Sequence, residues 1–105
     1  MGVDRTDYLM YGADIGYDTV DYDRDEDVIE RRPGAPFDLI FDGMGGKYAI
    51  AGKIVARSDP YDGIERTVIT PDLLPSDSDA LRAAIAKRFG IDAPKLELML
   101  FTHFS

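Results

Sequence analysis

Cysteine and tryptophan are absent from this chain, and histidine occurs once. The missing cysteine removes disulfides, thiolate metal sites and a cysteine nucleophile together. No stretch approaches the roughly 18 apolar residues that a membrane-crossing helix needs. The opening Met1–Asp7 lacks the basic start and apolar run of a secretory signal. The expectation is therefore a soluble, cytoplasmic protein that does not engage membrane. Gly2 heads the outline of an N-myristoylation signal, but Asp4 and Asp7 and the lack of a basic patch would make such an anchor weak. Basic residues are also scarce, 12 against 20 acids, for a formal charge of -8. That balance argues against nucleic acid as a direct ligand, because a phosphate backbone is met by clustered lysine and arginine.

What is present is unevenly placed. Ten of the acids fall in the first thirty residues, opposed there only by Arg5 and Arg24, while the remaining residues balance ten acids against ten bases. The block is densest from Asp14 to Glu30. Charge concentrated in this way selects a partner through its field, so a basic protein surface is the expected partner. No cofactor is implied, and the oligomeric state is left open. At 105 residues the chain should form one domain, 1–105. Its 45% hydrophobic content is ordinary for a folded one.

Alternation over Asp7–Tyr17 predicts a first strand, with Leu9, Tyr11, Ala13, Ile15 and Tyr17 on one face and Tyr8, Met10, Gly12 and Asp14 on the other. Residues 18–36 read as an acidic loop that ends in Pro33-Gly34-Ala35-Pro36. Phe37–Asp42 and Lys47–Arg57, joined by Gly43-Met44-Gly45-Gly46, predict a β-hairpin. The β-branched run Ile64–Thr70 predicts a third antiparallel strand after the turn residues 58–63. A helix is expected over about 77–89. Leu81, Ala84, Ile85 and Phe89 form its apolar stripe, Ser76 and Asp79 resemble a capping box, Lys87 and Arg88 suit its last turn, and Gly90 ends it. Leu96, Leu98 and Leu100 alternate with Glu97, Met99 and Phe101 in a last strand. The predicted class is α+β: a mainly antiparallel sheet of four to five strands with one helix packed on one face.

The candidate site is the acidic segment, with Asp18, Asp21, Tyr22, Asp23, Asp25, Glu26, Asp27 and Glu30 as partner-binding residues. Run as an extended chain, Asp21, Asp23, Asp25 and Asp27 would form a ladder at about 6.6 Å intervals, comparable with neighbouring backbone phosphates. Such a ladder would mimic nucleic acid in a basic cleft, with Tyr17 and Tyr22 offering stacking faces to arginine. The competing reading is a solvated loop that contributes solubility alone. Asp21-Tyr22-Asp23-Arg24-Asp25 also has the opening carboxylate spacing of a calcium loop, but Glu26 stands at the turn glycine and Arg32 at the closing glutamate. A loose calcium site from Asp21, Asp23, Asp25 and Glu30 is the alternative.

The remaining signals are weaker. Gly43–Lys47 fails the phosphate-loop pattern, with Phe41 at its first glycine and Tyr48 at its Ser/Thr. His103 stands alone without a nucleophile or ligand cluster, and Ser58, Ser76, Ser78 and Ser105 lack a nucleophile-elbow context. No catalytic residue is therefore assigned.

Asp7-Tyr8-Leu9-Met10-Tyr11-Gly12-Ala13-Asp14 resembles the opening of small uncharacterised acidic accessory proteins of bacteriophages and prophages. The resemblance implies a protein that acts on host machinery from the host cytoplasm, and it assigns no functional residue. The expected function is a non-enzymatic interaction protein whose acidic segment binds a basic surface, as a phage-type inhibitor or nucleic-acid mimic of a host nuclease or defence complex. An immunity protein against a basic toxin is the alternative that uses the same physics.

Overall fold

A computed structural model describes residues 4–105, so the Gly2 acylation reading lies outside the described residues. Its strands are β1 (Arg5–Asp14), β2 (Asp38–Phe41), β3 (Ala49–Arg57) and β4 (Glu97–Phe104). They form one antiparallel sheet in the order β2-β3-β1-β4. Two helices, α1 (Tyr22–Ile29) and α2 (Ser78–Phe89), complete the α+β arrangement. Val28 of α1 and Ile85 and Phe89 of α2 pack with Ala13, Leu39, Ala49 and Ala51, so one sheet face and both helices share a core.

Three local expectations are corrected. The segment 18–36 is not all loop, because α1 forms inside it. Asp21 caps the helix, its carboxylate accepting from the amides of Asp23 at 3.1 Å and Arg24 at 3.3 Å. Asp23 and Asp25 in the first turn complement the helix dipole. Val28 is fully buried, so the segment helps to build the core. The predicted strand Ile64–Thr70 does not form. Residues 64–69 are exposed, so nothing packs on the segment, and β-propensity alone does not make a strand. At α2 the cap is Asp77, which accepts from the Ala80 amide at 2.9 Å, and the expected capping box at Ser76 is absent. Gly90 ends α2 with φ 64°, as its sequence position predicts.

No residue of either helix joins the cluster on the other sheet face, yet Met10 and Ile40 there are at most 2% exposed. The sheet bends so that this face is concave and fills itself with Tyr8, Ile50, Tyr48, Ile54, Met99 and Phe101. Tyr48, just before β3, accordingly reaches His103 on β4, although β1 runs between those strands. Two features permit the bend. A register shift falls between Leu9 and Met10, the kind of irregularity that increases local twist. Gly12 faces Gly52 across the ladder, where a Cβ on Gly12 would lie 2.5 Å from the Ala51 carbonyl oxygen and one on Gly52 2.2 Å from that of Tyr11. The backbones therefore approach more closely than any side chain would allow.

Candidate partner-binding site

Helix formation redistributes the acidic residues. Successive residues of a helix turn by about 100°, so alternate aspartates point in nearly opposite directions and the extended ladder is lost. Asp23 is exposed and Asp25 is fully buried.

Asp25 is the hub of an internal network. Its carboxylate accepts from Arg24 Nε at 2.9 Å and Nη2 at 2.7 Å, from the Asp21 amide at 2.9 Å and from Arg88 Nη1 at 3.5 Å. Arg88 reaches over from α2 and grips Asp27 with two hydrogen bonds, at 2.8 and 2.9 Å. The two guanidiniums also lie over aromatic rings, Arg24 over Phe89 and Arg88 over Phe37. Burial pushes the Asp25 pKa up, but the Arg24 bonds and the Asp21 amide outweigh it and hold the carboxyl below its ordinary range. The Arg88 bond does the same for Asp27. Beyond the helix, Arg32 pairs with Glu26 and, at 3.0 Å, with Glu30.

Of the eight residues predicted to bind a partner, Asp25, Glu26, Asp27 and Glu30 therefore have internal cationic partners. Asp18, Asp21, Tyr22 and Asp23 remain together at the amino-terminal end of α1, all exposed, with Tyr22 at 52%. The calcium alternative draws no support from this geometry. Asp21, Asp23, Asp25 and Glu30 do not converge, and among the described residues no group of three or more carboxylate or histidine side chains could hold a metal. Arg88 is legible only as a last-turn residue of α2, because it lies far along the chain from the acids it serves. Helix α1 itself had a legible signal in Asp21 as a cap, acids in the first turn and basic residues at 31 and 32.

A second group, on the concave face, also escaped sequence reasoning. The Tyr48 hydroxyl and His103 Nδ1 are 2.8 Å apart. Burial lowers the His103 pKa against an opposing pull from Asp42, and burial raises that of Tyr48. Burial thus favours the neutral form of both groups, which share this one hydrogen bond. Beside it a shallow cavity of about 380 Å³ is lined by Asp42, Met44, Lys47, Tyr48, Thr102 and Phe104. The Asp42 carboxylate is occupied by the amides of Gly45 and Lys47, at 2.9 and 3.1 Å, which closes the hairpin loop and draws its pKa down.

Compared with known proteins, the chain matches no family model, no curated protein and no solved structure. Its fold and surface define a small α+β protein with one acidic, tyrosine-bearing helix end.

Proposed function

We propose that this is a non-enzymatic interaction protein that uses the amino-terminal end of α1 to engage a basic surface on another protein. One observation carries the reading. Asp18, Asp21 and Asp23 flank the half-exposed Tyr22, while the nearby Arg24, Arg32 and Arg88 are committed to Asp25, Asp27, Glu26 and Glu30. The field there is net negative, and the tyrosine supplies an amphipathic contact of the kind that anchors interfaces. A basic cleft of a nucleic-acid-binding enzyme is the partner class that suits it, whether the protein acts as a phage-type inhibitor or as an immunity protein. Contact is made by a helix end, so the charge spacing of an extended strand has no part in it.

Asp18→Asn combined with Asp23→Asn tests this, because among the described residues neither side chain has a cationic partner. Against a basic nuclease, inhibition and association rate are followed at low and at near-physiological salt. The double variant should associate several-fold more slowly, with a flatter salt dependence. Equal rates for variant and wild type would refute the proposal.

A further inference from the structure

We propose that β4 is a self-association edge at which two copies of this chain join into one continuous antiparallel sheet. This inference is independent of the acidic site.

Backbone phase comes first. Asp4 and Ser105 exchange both of their backbone hydrogen bonds, each at 2.9 Å. In an antiparallel ladder, hydrogen-bonded and non-hydrogen-bonded pairs alternate, so the groups of His103, Phe101, Met99 and Glu97 point to β1. Those of Leu98, Leu100, Thr102 and Phe104 point outward. β4 is an edge strand, and among the described residues no further strand takes up that outward row.

Side chains come second. On these same outward residues Leu98 is 49%, Leu100 78% and Phe104 50% exposed. Proteins normally blunt a free edge by shortness, charge or proline. β2, the other edge, follows that rule: it is four residues long, begins with Asp38 and is followed by Asp42. β4 is eight residues long and carries neither proline nor an Asp, Glu, Lys or Arg from Leu98 to Phe104.

Charge then selects the occupant. Two copies at -8 repel through the acidic first thirty residues, and this edge, uncharged from Leu98 to Phe104, lets them meet without facing like charges. A twofold axis perpendicular to the sheet keeps every side chain on its own face. Centred on Phe101, it sets Leu98 against Phe104 of the second copy and Leu100 against its Thr102. That register uses the whole outward row, about eight hydrogen bonds, and merges two apolar strips into one.

The full chain is weighed by sedimentation equilibrium over a concentration series. A mass of twice 11.7 kDa is expected, with self-association strengthened by salt as repulsion is screened. Leu100→Lys should weaken it by at least about tenfold, with an unchanged circular dichroism spectrum, because that side chain contributes little to the fold. The chain has no cysteine, so mixing a Leu100→Cys chain with a Thr102→Cys chain reports register directly through disulfide formation on oxidation. A monomer at every concentration, a dimer indifferent to Leu100→Lys, or no crosslink in the mixture would each overturn the proposal.

Discussion

Arg88, near the end of α2, donates two hydrogen bonds to Asp27 of α1, at 2.8 and 2.9 Å, and its Nη1 lies 3.5 Å from the buried Asp25. One guanidinium therefore ties two helices whose sequence positions are about sixty residues apart. It also determines which acids of the segment remain available to a partner.

Asp25→Ala should destabilise the protein by about 2–3 kcal/mol, because it removes charge-assisted bonds and leaves Arg24 and Arg88 poorly matched. Asp23→Ala, on the exposed side of the same helix, should change stability by less than about 0.5 kcal/mol. Urea unfolding followed by circular dichroism separates the two. Equal costs would show that the Asp25 network does not hold the helices together.

The Gly12–Gly52 approach predicts that Gly12→Ala and Gly52→Ala each cost about 1–3 kcal/mol or more, since either Cβ would meet a carbonyl oxygen of the paired strand. Gly43→Ala is the matched control. Its Cβ would find only the Phe41 ring, at 3.5 Å, an ordinary contact. Thermal unfolding of the three variants should rank Gly43→Ala close to wild type.

For α2, Asp77→Ala should lose about 1 kcal/mol as the cap bond to the Ala80 amide disappears. Ser76→Ala should lose almost nothing. The reverse order in chemical denaturation would restore the capping box read from the sequence.

His103 predicts an acid limb in stability. Burial lowers its folded pKa below the ordinary value near 6.5, so above that pH neither state binds the proton. As pH falls below it the unfolded chain takes the proton first, and stability drops until the folded pKa is passed. Asp25 and Asp27, with pKa values lowered from 3.8, add a second loss as pH falls through that value toward their folded ones. Urea midpoints measured from pH 7 to pH 3 should show both limbs, and His103→Phe should flatten only the first. A His103→Phe profile that matched wild type would remove His103 as its cause.

Strands β1 and β3 and helix α2 were legible because their apolar residues keep a period that local geometry imposes. Leu81, Ile85 and Phe89 announce a helix, and Tyr48, Ile50 and Ile54 share one sheet face. Helix α1 was not legible from periodicity, since its two buried positions are Asp25 and Val28, and an aspartate does not read as core. Its burial depends on Arg24 and Arg88, and pairing with a distant arginine leaves no local pattern. Ile64–Thr70 failed in the opposite sense, since its composition suits a strand but none of its apolar side chains is buried against the sheet. The candidate site contracted for the same reason that α1 was missed: tertiary arginines, invisible along the chain, neutralise half of it.

The stretch 64–70, which joins no ladder, makes the molecule divisible. Arg66 stands exposed within it, and a trypsin cut there would part β1, α1, β2 and β3 from α2 and β4. Yet β4 finds its ladder on β1, and α2 finds its core partners on the earlier strands. The two pieces are thus complementary halves of one sheet. Expressed separately, they would be expected to reassemble, so that the fold could serve as a split reporter.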